Sequence, residues 1–295
     1  MNTTNVKCLV VGGDGLIGSK LVERLRSMGS SVIATTRSTA AGDNNSVRLD
    51  LASDLDFSPW ENQKWGVAFL CAGITNIASC EAEPGSSRRV NVMNTLALAR
   101  KLYASGTRII FLSSNAVFDG KVVKPDENAA YCPSTEYGRQ KVSAEQGLIA
   151  LSGGAGSVAI VRLSKVLTST SGMAAEFMKR LTSHEPCPAF DDLRMSPISL
   201  SYVLDAILAI AMTQHFGVFH LSGVEEMTYA DFAWRLAAAM GTRQDLVQPL
   251  SSEIAGVKVL FRPEYPALGM KRTGKLLGIA PESNEDLLKQ LVAGH

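Results

Sequence analysis

Gly12-Gly13-Asp14-Gly15-Leu16-Ile17-Gly18 is the stretch that most narrows the folds open to this chain. It reads both as G-x-G-x-x-G and as G-x-x-G-x-x-G. Val6 to Val11 before it is a short apolar run suited to a buried strand, and Ile17, Leu21, Leu25 and Met28 after it have helical spacing. In such a strand-turn-helix the first glycines permit the tight turn, the middle one lets backbone approach a pyrophosphate, and Gly18 lets the helix pack close to the strand. The helix N–H groups then face the phosphates. A glycine turn with no ligand is the competing reading. The position at the first strand-to-helix junction favours a dinucleotide, with Gly12, Gly15, Leu16, Ile17 and Gly18 around its diphosphate.

Further strands are predicted at Ser31 to Thr36, Val67 to Cys71, Thr107 to Leu112 and Ser157 to Leu163, with a short one around Val47. Helices are predicted between them, notably Ser87 to Ala104 and Ser134 to Leu151. Alternation of this kind implies crossover connections and a mostly parallel sheet covered on both faces. After Leu163 the rhythm changes. Helices are expected at Ser171 to Leu181, Leu200 to His215 and Thr228 to Met240, and a strand at Gly217 to Leu221, followed by a proline-punctuated C-terminal stretch. The predicted class is α/β, a Rossmann-type doubly wound parallel sheet with a smaller C-terminal α+β lobe. The expected division is 1–165 plus 199–222 for the first domain and 166–198 plus 223–295 for the second.

At 295 residues and 46% hydrophobic, the chain can bury a substantial core. Its 29 basic and 28 acidic side chains form no long block of one sign, so nothing calls for a nucleic-acid or membrane-surface partner. Five scattered cysteines without Cys-x-x-Cys, and four scattered histidines, argue against a disulfide framework and against a metal site. No signal peptide is visible in Met1 to Lys7, and no apolar run approaches the roughly 18 residues of a spanning helix. A cytoplasmic setting is expected.

The end of the second strand should carry Asp or Glu if a ribose 2'-hydroxyl is to be held. It reads Ala34-Thr35-Thr36-Arg37-Ser38, and a guanidinium among hydroxyls suits a 2'-phosphate better. Thr36 and Arg37 therefore favour NADP(H) over NAD(H), against the reading of Arg37 as a plain loop arginine. Asp50 and Leu51 follow the short Val47 strand, where Asp50 could meet the adenine amino group or serve only as a loop aspartate.

Tyr137 and Lys141 stand four residues apart on one predicted helix face. A cation beside the phenol would lower its pKa from about 10 and make it a proton donor near neutral pH. By itself the pair equally fits a solvated helix face. Gly138 between them costs a helix about 1 kcal/mol relative to alanine, which close approach of backbone or cofactor would explain.

The glycine loop, Cys71-Ala72-Gly73, Ser113-Ser114 and Tyr137-x-x-x-Lys141 together resemble an extended short-chain dehydrogenase/reductase. Ser113-Ser114-Asn115-Ala116-Val117-Phe118-Asp119-Gly120 is similar to the Ser-Thr-Asp-Tyr-Val-Phe-Asp-Gly string of dTDP-4-dehydrorhamnose reductases. Pro133-x-x-x-Tyr137-Gly138-x-x-Lys141-x-x-x-Glu145, Gly217-Val218-Phe219-His220-Leu221-Ser222-Gly223 and Arg262-Pro263 extend the likeness over essentially the whole chain. The resemblance implies Ser114 as the catalytic hydroxyl, Tyr137 as the general acid, and Lys141 as the ribose-binding lysine that depresses the tyrosine pKa. It adds Cys71, Ala72, Gly73, Asn91 and Leu163 to the cofactor site. Thr75, Asn115, Ser164 and Arg262 are its substrate candidates, and the C-terminal lobe becomes the substrate-binding one.

Three departures fall where the resemblance implies the sugar pocket. Ser114-Asn115 replaces Thr-Asp, Lys165 replaces an aromatic, and the Asp-Gln-x-Gly-x-Pro-Thr string survives only as Asp192-Leu193-Arg194-Met195-Ser196-Pro197-Ile198. The absence of an acid in Ser114-Asn115-Ala116 counts against dehydration. The implied activity is NADP(H)-dependent reduction of a nucleotide-activated 4-keto sugar. The alternatives are an NAD-dependent nucleotide-sugar epimerase and a non-catalytic NADP-binding regulatory subunit. A homodimer through helices 87–104 and 134–151 is expected, since Val90 to Ala104 is apolar on more than one face; burial within the fold would account for the same pattern.

Overall fold

The computed structural model of the chain describes residues 6–37, 45–56, 63–153, 156–213 and 215–294. Cys8, Leu9, Val10 and Val11 are all buried, as a strand covered on both faces requires, and they form β1 (Lys7–Val11). Helix α1 (Leu16–Ser27) buries Leu21, Val22 and Leu25 and leads to β2 (Ser31–Thr36) and β3 (Ser46–Arg48). β4 (Val67–Leu70) follows, then α2 (Ile77–Ala82), α3 (Pro84–Arg88), a π-helical turn at Arg89–Asn94, and α4 (Thr95–Ala104). β5 (Arg108–Ser114), α5 (Glu136–Ser152) and β6 (Val158–Leu163) complete the second half of the winding.

The sheet has seven strands in the order β11-β6-β5-β4-β1-β2-β3, β11 being Gly217–Leu221. β1 is an interior strand, Val10 pairing with Ala34 on one side and Phe69 on the other, in parallel. The order reverses between β1 and β4, and their carboxyl ends form the crevice where open α/β sheets bind ligands.

The chain divides into two compact units. The first comprises Met1–Val117, Pro133–Arg162 and Ile207–Phe219. Its core joins Leu9, Leu70, Ile109 and Phe111 of the sheet to Leu98 and Leu102 of α4 and Leu148 of α5. Val90, Val92, Leu98 and Leu102 are buried, so most of the many-sided apolarity of 90–104 is accounted for inside this unit; Met93, at 60% exposure, is the exception.

The second unit comprises Phe118–Cys132, Leu163–Ala206 and His220–His295. Its strands form three small pairs. β7 (Lys165–Leu167) pairs with β10 (Pro197–Ser199), β8 (Cys187–Phe190) with β13 (Val247–Leu250), and β9 (Arg194–Met195) with β12 (Met227–Thr228). Among its helices are α6 (Gly172–Thr182), α8 (Tyr229–Ala239), α9 (Lys271–Leu277) and α10 (Asn284–Ala293), while α7 (Leu200–Met212) runs from this unit into the first. Phe177, Met178, Phe232, Leu236, Leu287 and Leu291 fill the core. Thr228 and Asp231 form a capping box that fixes the start of α8.

Phe118–Cys132 belongs to this second unit, although the sequence reading kept it with the first domain. The reason is local. Tyr265 N–H donates to the Gly120 carbonyl at 2.7 Å, and the buried Glu127 carboxylate accepts the N–H groups of Arg272 and Thr273 at the start of α9. Similarly, only Ile207–Phe219 of the expected 199–222 return falls in the first unit. Among the described residues, no helix is long and apolar enough to cross a membrane.

Candidate active site

The glycine loop at the end of β1 is closed against β2. Gly12 N–H donates to Thr35 Oγ1 at 3.0 Å and Gly13 N–H to the Thr35 carbonyl at 2.8 Å. Gly12 has φ +86°, and a Cβ on Gly18 would fall 2.0 Å from the Gly12 carbonyl oxygen, so α1 approaches the loop as closely as backbone allows. With Gly15 at its N-cap and no acidic side chain in its first turn, α1 leaves the N–H groups near Leu16 and Ile17 without a side-chain cap. Backbone donors behind a surface that has no Cβ make a cradle for a diphosphate, and a dinucleotide fits it. At the tip of β2, Arg37 is exposed, Thr36 Oγ1 donates to Asp14 Oδ2 at 3.2 Å, and Ser38 lies outside the described residues. The Asp50 carboxylate accepts Ala52 N–H and Ser53 O–H, closing its own turn, and Leu51 is in the core.

Across the switch point, Cys71 N–H donates to the Val11 carbonyl at 3.0 Å, and Ala72 backbone would touch a Cβ on Gly12 at 2.8 Å. Burial pushes the Cys71 thiol up to about 12, partly offset by the Lys141 charge. Gly73 faces Asn91 and Lys141: a Cβ there would lie 3.2 Å from Asn91 Oδ1 and 4.0 Å from Lys141 Nζ. Thr75 is exposed. Asn91 is buried and accepts Ile74 N–H at 2.8 Å while donating to the Ile74 carbonyl at 2.9 Å and to Gln140 Oε1 at 2.8 Å. The expected single helix from Ser87 to Ala104 is therefore interrupted. The π turn that carries Asn91 turns its side chain to meet the β4–α2 loop, a tertiary demand that residue-by-residue helix preference does not register.

Ser114, at the end of β5, lies beside the Tyr137 phenol and acts to lower its pKa. The Ser114 hydroxyl accepts Ala116 N–H at 3.1 Å and lies 3.3 Å from Asn115 Oδ1, to which it donates. Thr135 caps α5 by accepting Gly138 N–H at 3.1 Å, which sets Tyr137 in the first turn and Lys141 in the second. A Cβ on Gly138 would sit 2.2 Å from the Ala116 carbonyl oxygen, so the glycine admits backbone beside Tyr137.

Lys141 is buried, donates to the Leu112 carbonyl at 2.8 Å, and lies 4.6 Å from the Phe111 ring centroid and 5.8 Å from that of Tyr137. The electrostatics differ from the sequence expectation. Burial pushes the Tyr137 phenol above its ordinary range, and Ser114 only partly opposes this. Burial lowers Lys141 to about 8, with Glu145 pulling the other way. Desolvation dominates the phenol, and the neighbour that lowers it is Ser114, not the lysine. The phenol is thereby kept protonated at neutral pH.

Behind this pair, Glu145 is 0% exposed and Arg162 1% exposed. Arg162 Nε donates to both Glu145 oxygens at 3.1 Å and Nη2 donates to Oε2 at 2.7 Å, while Ser113 Oγ donates to Oε1. One carboxylate thus ties β5, α5 and β6 together, directly behind Ser114 and one turn beyond Lys141. Glu145 and Arg162 were visible as motif letters; their function as a clamp depends on strand neighbours that no spacing reveals. Gln140, which donates to Ser87 Oγ and Glu136 Oε1 as well as accepting from Asn91, gave no sequence signal beyond its place between Tyr137 and Lys141.

The remaining candidates lie in the second unit. Leu163 is buried, and the buried Ser164 hydroxyl has no partner among the described residues. Arg262 donates to Ser252 Oγ at 2.6 Å and pairs with Asp192 at 3.4 Å, within a cluster where Asp192 also accepts from Ser251 and from Ser252 N–H. These contacts hold Asp192 below the usual carboxylate range. No group of three or more His, Cys, Asp or Glu among the described residues could hold a metal ion.

The model of the RmlD substrate binding domain family matches residues 6–294. The chain belongs to that family. Among curated relatives of this RmlD-type chain is a dTDP-4-keto-6-deoxy-D-glucose reductase from Streptomyces niveus, 29% identical over 265 residues that cover 88% of each chain. Among solved structures, the dTDP-4-dehydrorhamnose reductase of Yersinia enterocolitica superposes with a TM-score of 0.86 at 21% identity, covering 98% of this chain and 100% of that one. That of Bacillus anthracis, in complex with NADP, gives 0.85 at 19% identity, covering 99% and 100%. The chain is an oxidoreductase of the extended short-chain dehydrogenase/reductase fold, as its sequence resemblance implied.

Proposed function

We propose that this RmlD-family chain is an NADP(H)-dependent reductase of a nucleotide-activated 4-keto sugar, with Tyr137 as the acid. The observation that carries the reading is the continuous line of contacts from the glycine loop through Ala72 and Gly73 to Lys141, Tyr137 and Ser114, all on one unit. The names of the S. niveus and B. anthracis relatives supply the substrate class and the cofactor.

The cofactor would supply the hydride, the step that no side chain can provide. The loop from Gly12 to Gly18 and the start of α1 would hold its diphosphate. Thr36 and Arg37 would hold the 2'-phosphate, Asp50 and Leu51 the adenine side, and Cys71, Ala72, Gly73, Asn91 and Leu163 the rest of the cofactor. Lys141 would hold the ribose. As charge builds on the ketone oxygen, Ser114 donates a hydrogen bond to it and Tyr137 transfers its proton. A raised phenol pKa does not block this, because an alkoxide is a far stronger base than a phenolate. The proximity of Ser114 to the Tyr137 phenol lets both act on one oxygen.

Thr75, Asn115, Ser164 and Arg262 are assigned to the substrate on sequence grounds, and the substrate-binding role of the second domain rests on the same grounds. Pairing of two copies through helices 87–104 and 134–151 is supported by Met93 and Ile149, exposed at 60% and 43%.

The test is Tyr137→Phe, assayed by NADPH consumption with dTDP-4-keto-6-deoxy-D-glucose. Turnover should fall by about a hundredfold or more, while NADPH still quenches protein fluorescence. Turnover retained in the variant would remove Tyr137 from the mechanism.

A further inference from the structure

The 2'-phosphate assignment rests on Arg37, yet the same corner of the first unit contains an opposing charge. Asp14 occupies the variable position immediately before Gly15 in the glycine loop, and its side chain is exposed. Its Oδ2 accepts a hydrogen bond from Thr36 Oγ1 at 3.2 Å. Thr36 is the last residue of β2 and the neighbour of Arg37. The acid that sequence reasoning looks for at the end of β2, and does not find there, is thus delivered to that strand end from the glycine loop.

We infer that Asp14 is a specificity-determining residue for the cofactor, setting a narrow preference between NADPH and NADH by opposing the cationic contribution of Arg37. The inference rests on the nicotinamide-dependent reading above and deepens it. A phosphomonoester carries about two negative charges near neutral pH, and a carboxylate at the adenosine end repels it. A ribose that ends in a 2'-hydroxyl suffers no such repulsion and can donate to a carboxylate. Thr36 fixes the rotamer, keeping the carboxylate at the strand end. With Asp14 ionised and Arg37 positive, the corner presents one charge of each sign, so neither dinucleotide is strongly excluded. Asp14→Asn keeps an oxygen to accept from Thr36 and removes only the charge.

The experiment titrates NADPH and NADH separately into the intact protein, following fluorescence, for the unmodified chain, Asp14→Asn, Arg37→Ala and Thr36→Val. Asp14→Asn should raise the affinity ratio in favour of NADPH by about tenfold, equivalent to about 1.4 kcal/mol, and added salt should shrink the change. Arg37→Ala should move the ratio the other way. Thr36→Val keeps the Asp14 charge but loses the hydroxyl assigned to the 2'-phosphate, and should therefore lower the ratio, not raise it.

A ratio unchanged by Asp14→Asn overturns the assignment. So does Thr36→Val reproducing the effect of Asp14→Asn, because loop geometry and not charge would then be the cause. A shifted ratio in a protein that reduces no keto sugar upholds Asp14 and defeats the reductase reading. Failure of the unmodified protein to bind either dinucleotide overturns both.

Discussion

Two polar clusters, one in each unit, are built from the same kinds of group under opposite conditions. Glu145, Arg162 and Ser113 are buried, and the arginine grips the carboxylate through two nitrogens. Asp192, Ser252 and Arg262 form a comparable carboxylate-hydroxyl-guanidinium set, but the Arg262 side chain is 50% exposed. In the first cluster, removing one partner strands a charge away from water. In the second, water can take the place of the half-exposed arginine. The contrast follows the sequence: motif letters around Glu145 match the reductase pattern, whereas the 192–198 string departs from it. A buried clamp tolerates no redrawing, and a solvated cluster can change its residues at little cost.

The largest expected effect breaks the first cluster. Glu145→Gln leaves the Arg162 guanidinium buried without its counter-charge and should destabilise the protein by about 3–5 kcal/mol, read as a fall in melting temperature by calorimetry. The double variant Glu145→Met with Arg162→Met should recover much of that loss, because no lone charge remains. A double variant as unstable as Glu145→Gln would mean that packing, not charge, holds β5, α5 and β6 together.

A smaller and pH-dependent effect is expected at Lys141, whose folded pKa of about 8 lies below its ordinary 10.5. The folded state then releases the lysine proton before the unfolded state does, so this group's contribution to stability rises as pH climbs from about 8 to 10.5. Below pH 8 the full penalty of the buried charge is present, on the order of 3 kcal/mol. Lys141→Met should accordingly be the more stable protein near pH 7, by a margin that narrows toward pH 10. A margin independent of pH would show that Lys141 has the same pKa in the folded and unfolded protein, and so bears no burial penalty.

The smallest effect belongs to the second cluster. Arg262→Ala should shift the melting temperature by no more than about 2 °C. A drop as large as that of Glu145→Gln would erase the distinction between the clusters.

Much of the fold was legible in sequence because the signals are local. The apolar run of β1, the glycines after it and the helical spacing from Ile17 to Leu25 need no distant partner to be read, and β2 and β11 appear within the predicted bounds. Tyr137 and Lys141 were legible as a pair for the same reason. What escaped depends on tertiary neighbours. Phe111 and the Leu112 carbonyl, on a strand far away in sequence, desolvate and engage Lys141 and so reverse the expected electrostatics of the pair. Asp14 looked like a variable letter until Thr36 appeared beside it, and Phe118–Cys132 joined the second unit through Tyr265 and Thr273.

The π turn at Arg89–Asn94 has a consequence for how this chain can vary in length. Such a turn amounts to one residue more than an α-helix of equal rise would hold, and each helical residue rotates the chain by about 100°. That surplus residue lets Asn91 meet Ile74 and Gln140 while Leu98 and Leu102, about two and three turns later, remain buried in the core. A chain shortened by one position between Arg89 and Asn94 could keep either the asparagine bridge or the leucine packing, but not both. A single-residue deletion in this helical segment, which contains neither glycine nor proline, should therefore be as damaging as truncation of a core side chain.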